Sequence, residues 1–389
     1  MFQDNDKTKS VLILIILVAC NLRAPITGVG SLTNTIKGGL NLSAGMTGAL
    51  TTVPLLAFAL ISPFAVKISR TIGAGKTIFL SVVLSEFGII MRSFSNGIGL
   101  FTGTVFIGLG IGIGNVLLPA VIKDKFPDKI ESMTGLYTAV MQITSTISTA
   151  VSVPLSLIIG WKNALLIWII PVTAALMLCF PNMKLKVSDG GEGSHAKDGR
   201  IYKSAMTWWI TAYMGLQSFV FYSFIAWLSP IMQSKGHGSF ESGLILSVYV
   251  IMGIAGSCFL PLIMKKNRTQ SATGMQLGCI YLIGIIAMII TDNLYILIAA
   301  ISICGFTSGT CISFSMALFG LHTSNGEDAS RLSGIAQSVG YLIAAAGPVM
   351  LGKLYEITLD WKIPIGILAL AAFFLIFAGR IVGKDKIIA

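Results

Sequence analysis

The stretch ILVACNLRAPITGVGSL, Ile16 to Leu32, sets one guanidinium, Arg23, in a run that is otherwise apolar, small or neutral. A guanidinium presents planar donors that fork onto a carboxylate or a similar acceptor group. Arg23 is therefore the first candidate for recognition chemistry, with a tie to backbone carbonyls or a polar neighbour as the plain structural alternative. Uncharged polar residues in other apolar runs would complete such a site. Gln337 and Tyr341 are four apart and share a helical face, as do Thr138 and Gln142, and Tyr213 and Gln217. Asn115 lies in the glycine-rich run GIGIGNVLLP. Of sixteen Asp and Glu, only Glu86 falls near the middle of an apolar run, which makes it the proton-coupling candidate; a hydrogen bond to a neighbouring helix is its simpler role.

Other chemistries find no support in the residue pattern. Nucleophile, base and orienter do not recur together, so an enzyme is not expected. His195, His237 and His322 are dispersed, and no metal or cofactor is implied. The string GAGKT at Gly73 to Thr77 imitates the end of a phosphate-binding loop, but Arg70 stands where that motif needs glycine. The six cysteines, Cys20, Cys179, Cys258, Cys279, Cys304 and Cys311, lie in apolar runs without CxxC spacing and read as small packing residues.

The elements that must position these residues follow from composition. Hydrophobic residues make up 54% of the 389 and charged residues 11%, against about 25% charged for soluble domains, so the chain is a polytopic membrane protein. Apolar runs of about 20 residues, the length that crosses a bilayer, occur at 11–35, 43–66, 77–95, 98–122, 132–156, 164–181, 205–233, 241–264, 274–291, 294–321, 332–352 and 362–380. Twelve transmembrane helices are expected. The polar Asn21-Leu22-Arg23 and the lack of a small-x-small site make the first run a helix rather than a cleaved signal.

Positive charge fixes the expected orientation, because cytoplasmic loops retain Lys and Arg. With the N-terminus inside, twenty of the 27 Lys and Arg fall in cytoplasmic segments and five outside, leaving Arg23 and Arg92 within helices. Both termini are expected in the cytoplasm of a multi-pass cell-membrane protein. The same asymmetry accounts for the formal charge of +11, so a nucleic-acid partner is not required. Arg92, near the outer end of helix 3, is expected to snorkel or cap, or to attract anions from outside. Tyr222 and Trp227 are expected at the outer interface as anchors or as an outer gate.

The two halves are copies. Gly45 and Gly243, Pro63 and Pro261, Lys67 and Lys265, and Arg70 and Arg268 are each 198 apart; Thr134-Gly135 and Ser333-Gly334 are 199 apart; Trp161-Lys162 and Trp361-Lys362 are 200 apart. This order implies a six-helix bundle at 1–181, a Gly-rich charged cytoplasmic tether at 182–204, and a second six-helix bundle at 205–389. Through the Gly135 anchor, Thr138 and Gln142 in helix 5 correspond to Gln337 and Tyr341 in helix 11. Two tethered bundles can rock about a central site, the geometry of alternating access.

NLRAPITGVGSL in helix 1, GIGNVLLPAVIKDKFPDK at the end of helix 4, GLQSFVFYSFIAWLSPIM in helix 7 and the openings of helices 5 and 11 resemble the cyanate-permease and 2-nitroimidazole-transporter family of the major facilitator superfamily. The resemblance covers nearly the whole chain. Its most specific part is helix 1, where the family pattern is close to Asn-Leu-Arg-Pro; here Ala24 intervenes before Pro25. It implies an all-α, twelve-helix facilitator fold with two bundles related by pseudo-twofold symmetry, a monomer embedded in lipid of the bacterial inner membrane, and carriage of a small anionic or polar solute, with protons as the candidate coupled ion. The superfamily's acidic loop signature after helix 2 is replaced by PFAVKISRTIG, with Lys67 and Ser69 near the acid's place.

The expectation is a secondary transporter whose cavity presents Arg23 to its solute, with Asn115, Thr138, Gln142, Tyr213, Gln217, Gln337 and Tyr341 around it. The alternatives are a proton-coupled exporter of amphipathic drugs, which would depend on Glu86, and a non-transporting sensor or scaffold.

Overall fold

The computed structural model describes residues 2–40, 44–94, 97–187, 201–267, 269–384 and 387–388. Most of the tether, including His195, lies outside them. Helices dominate the described residues, and eleven segments are long and apolar enough to cross a membrane. Helix 1 is realised as α1 (Phe2–Asn21), α2 (Ala24–Ser31) and α3 (Thr33–Leu40). Then come α4 (Ala44–Ile72), α5 (Ala74–Phe94), α6 (Gly97–Lys125), α7 (Ile130–Leu166) and α8 (Ile169–Cys179). The second copy has α9 (Ala205–Ser234), α10 (Ser239–Lys266), α11 (Gln270–Ile290), α12 (Leu294–Leu321), α13 (Gly326–Thr358) and α14 (Lys362–Val382).

Eleven segments, rather than twelve, result from one bend. Predicted spans 5 and 6 form a continuous stretch from Pro127 to Cys179, turned at Gly160, where φ is 79° and ψ 154°. A side chain with a Cβ is strained there. Glycine thus makes the bend that separates the two spans.

The break in helix 1 also has a local cause. Pro25 lacks the N–H that would close a helical bond to the Asn21 carbonyl, and its ring crowds that carbonyl. Leu22 N–H instead closes a short turn on Ala19 O at 3.2 Å. Helix resumes at Ala24 with Pro25 in its first turn and Arg23 at the cap position, φ −134° and ψ −38°.

The chain divides into two compact units. The first holds Met1–Asp128, Val140–Gly191 and Asn325–Gly334; the second holds Lys129–Ala139, Glu192–Ser324 and Ile335–Ala389. The division falls within the expected tether, but the opening turns of α7 and α13 are exchanged. In the first unit, Arg70 at the end of α4 is ion-paired with Glu327 in the opening turn of α13. Arg331 bonds the same carboxylate at 2.6 Å and Asp328 at 3.4 Å. The acid absent from the loop after helix 2 is thus supplied from α13. The start of the tether is also tied down, since Gly75 N–H donates to Leu185 O at 2.9 Å. In the second unit, the opening turns of α7 pack on α10, where a Cβ on Gly135 would lie 3.0 Å from Ser257 O.

Candidate solute site

In the first unit α2 lies along α7, joined by polar contacts over about two turns. Arg23 Nη1 donates to Gln142 Oε1 at 3.0 Å. Ser148 Oγ donates to Ala24 O at 2.7 Å, Thr27 Oγ1 to Ser145 O at 3.3 Å, and Ser31 Oγ to Thr149 O at 3.1 Å. A Cβ on Gly28 would sit 2.7 Å from Ser148 Oγ and 2.8 Å from Ser152 Oγ, so glycine is what admits this approach. Asn21 Nδ2 ties the end of α1 to Pro171 O of α8 at 2.9 Å. Arg23 itself is 8% exposed and Gln142 4%. The guanidinium is therefore buried among the helices of the first unit, with a neutral amide of α7 among its partners.

Asn115 is buried in α6, 3% exposed. Glu86, half-buried on α5, accepts a hydrogen bond from Thr173 Oγ1 of α8 at 2.7 Å. That is the interhelical bond weighed above as its simpler role.

The second unit gathers a different set. Tyr213 on α9 is fully buried; its hydroxyl donates to Cys311 Sγ at 3.5 Å and its ring meets Phe314 edge-on at 5.6 Å. Gln217, also fully buried, donates to Ser218 Oγ at 2.7 Å and Met214 O at 3.2 Å, and its Oε1 has no hydrogen-bond partner among the described residues. Gln337 is fully buried on α13, and Tyr341 lies 6.5 Å from Tyr222, ring to ring. Helices α9 and α13 approach at Gly215, where a Cβ would meet Ile343 at 2.8 Å, and at Gly347, where it would meet Ser223 Oγ at 2.5 Å. Trp227 Nε1 donates to Pro348 O at 2.8 Å and its ring lies 5.4 Å from that of Trp361. It fastens α9 to α13 and is not a free interfacial anchor.

The expected pair Thr138 and Gln142 is divided between the units. Thr138 hydrogen-bonds Ser313 of α12 at 2.5 Å, while Gln142 meets Arg23. Arg92 departs from expectation: it is 0% exposed and donates through Nη1 to Pro25 O at 2.5 Å, so it neither snorkels nor faces the outside. Sequence reasoning also passed over Ser145, Ser148 and Ser152. Their i, i+3, i+7 spacing marks one helical face and was the available signal.

Residues 12–348 match the family model described as Major Facilitator Superfamily. The chain belongs to that superfamily. Within it, the chain is 36% identical to the uncharacterized transporter YycB of Bacillus subtilis (strain 168), over 99% of this chain and 96% of that one. It is 34% identical to the 2-nitroimidazole transporter of Escherichia coli (strain K12), covering 98% of both. Identity to the cyanate transport protein CynX of the same strain is 23%, over 90% of this chain and 92% of that one. These relatives place it in the cyanate-permease and 2-nitroimidazole-transporter family. The crystal structure of the E. coli fucose:proton symporter FucP shares the fold, with a TM-score of 0.73 at 12% identity over 96% of this chain and 99% of that one. The protein is a multi-pass membrane transporter of the secondary type, and not an enzyme.

Proposed function

We propose that the transporter moves a small anionic or electron-rich polar solute, of the cyanate, carboxylate or nitroheterocycle class, and that Arg23 is the group that receives it. The carrying observation is the Arg23–Gln142 pair: a guanidinium 8% exposed, oriented by a neutral amide on α7 at 3.0 Å. Gln142 brings no countercharge of its own to this nitrogen, and planar donors distinguish forked acceptors from a point charge. Gln217, with an amide oxygen unpartnered among the described residues, is the strongest candidate on the second copy. Asn115, Thr138, Tyr213, Gln337 and Tyr341 are its proposed companions. Two relatives are named for 2-nitroimidazole and cyanate, which fits this solute class.

Transport proceeds in this reading by alternating access of the two six-helix bundles, 1–181 and 205–389, in a monomer of the cell membrane with both termini cytoplasmic. The test is counterflow of 2-nitroimidazole and of cyanate in proteoliposomes. Arg23→Ala abolishes uptake of the transported probe, and Arg23→Lys impairs it because the fork is lost. Undiminished flux in Arg23→Ala removes Arg23 from the site. Glu86→Gln separates the rival proton-coupled exporter: that reading requires the variant to lose pH-driven efflux, whereas the anion reading leaves counterflow unchanged.

A further inference from the structure

Arg92 heads the large side chains that are fully buried, and recognition by Arg23 does not use it directly. Its Nη1 donates to Pro25 O at 2.5 Å, while Nε and Nη2 have no hydrogen-bond partner among the described residues. A cation so placed is costly in the membrane interior, which makes its bond to the Pro25 carbonyl informative. That bond falls on the break in helix 1. Consecutive carbonyls there are held by two different helices: Ala24 O by Ser148 of α7 at 2.7 Å, and Pro25 O by Arg92 of α5. Arg23 is the residue immediately before them. α6 closes behind Arg92, since a Cβ on Gly103 would lie 2.7 Å from Arg92 N and 2.8 Å from Arg92 Cβ. The α5 backbone is thereby fixed where the guanidinium leaves it.

We infer that Arg92 is a positioning residue: by holding the Pro25 carbonyl it fixes the break in helix 1 and sets the direction in which Arg23 offers its guanidinium. The inference rests on the reading of Arg23 as the solute ligand, but its first consequence needs no ligand. α2 is clamped between a donor on α5 and a donor on α7. Removing the α5 donor leaves the α7 contacts and the packing on α4 and α6 to hold the segment, and Arg23 gains orientations that do not face the solute. Lysine at 92 can still donate to the carbonyl, whereas methionine of similar length cannot.

Hydrogen exchange of the full chain in detergent tests this without a solute. In Arg92→Met the amides of α2 exchange roughly tenfold faster, while those of α12 in the second unit are unchanged; Arg92→Lys stays within about threefold of the parent. Unchanged exchange over α2, or an equal rise in α12, overturns the inference. If Arg92→Met is not recovered folded, Arg92→Gln carries the same expectation. The functional limb uses counterflow of 2-nitroimidazole and cyanate: KM rises roughly tenfold in Arg92→Met with kcat altered less than about twofold, as weakened solute binding requires. A fall in kcat alone overturns the link to Arg23. If the parent protein moves neither probe, the solute reading fails while faster α2 exchange still supports the positioning role.

Discussion

The α2–α7 seam and the α9–α13 seam occupy equivalent places in the two copies and are built from opposite materials. In the first, four side chains cross between helices, one of them cationic, and helix 1 is broken where they begin. In the second, α9 is continuous, and its approach to α13 includes close contacts at glycines, an indole hydrogen bond and a tyrosine ring contact. Some contacts nonetheless correspond. Ser31 donates to Thr149 O and Trp227 to Pro348 O, acceptors that are 199 apart like the Gly135 and Gly334 anchors. Ser148 and Gly347 are also 199 apart, and the small partners change sides: Gly28 faces Ser148, whereas Ser223 faces Gly347. Close packing and an occasional hydrogen bond suffice to join helices in lipid. What the comparison teaches is that the repeat preserves helix spacing while leaving the chemistry free, so that one copy carries the charge and the other aromatic and amide groups.

Variants can break this contrast, beginning with the largest effect. Arg23→Ala removes charge-assisted bonds worth about 1.5–3 kcal/mol, a loss of roughly ten- to hundredfold in affinity. Gln217→Ala, in the second copy, removes a neutral contact and costs roughly fivefold. Equal losses, measured by ligand-dependent thermal shift with 2-nitroimidazole and cyanate, would erase the assignment of charge recognition to the first copy. Next, Gly28→Ala forces a methyl against Ser148 and Ser152 and destabilises by about 1–3 kcal/mol. Gly347→Ala does the same against Ser223. Ser148→Ala combined with Ser152→Ala recovers part of the Tm lost in the first variant, and Ser223→Ala part of that lost in the second; no recovery in either breaks the exchange of small partners. Gln142→Ala follows, weakening solute affinity about fivefold through loss of the bond that orients Arg23 and lowering stability by about 1–3 kcal/mol because a buried charged donor loses an acceptor. Smallest is Trp227→Phe, which deletes one bond to Pro348 O and costs about 0.5–1.5 kcal/mol in stability without altering KM.

Much of this was legible from residue types alone. Spans are read from runs of apolar residues because lipid permits little else, and Arg23 stands out because a charge in such a run needs a reason. Gln142 was found through its helical register with the second copy. Depth and partner choice were not legible. Arg92 reads as lying near a helix end, but the break in helix 1 brings the Pro25 carbonyl to it, and no local pattern in helix 3 announces that meeting. Trp227 has the usual composition of an interfacial residue, and only the packing of α13 turns its N–H inward. Thr138 and Gln142 share a face by spacing, yet different helices cover its successive turns, so one meets Ser313 and the other Arg23. Spacing gives the face of a helix but not its neighbour at each level.

The bend at Gly160 bears on the membrane insertion of everything after it. Assigned helix continues through 37 residues of α7, which laid out straight would measure about 55 Å, well beyond the roughly 30 Å hydrocarbon slab. One φ of 79° at Gly160 interrupts that length between the predicted spans 132–156 and 164–181. Were it straightened, the parity of crossings would change, and the entire second copy would be threaded through the bilayer upside down.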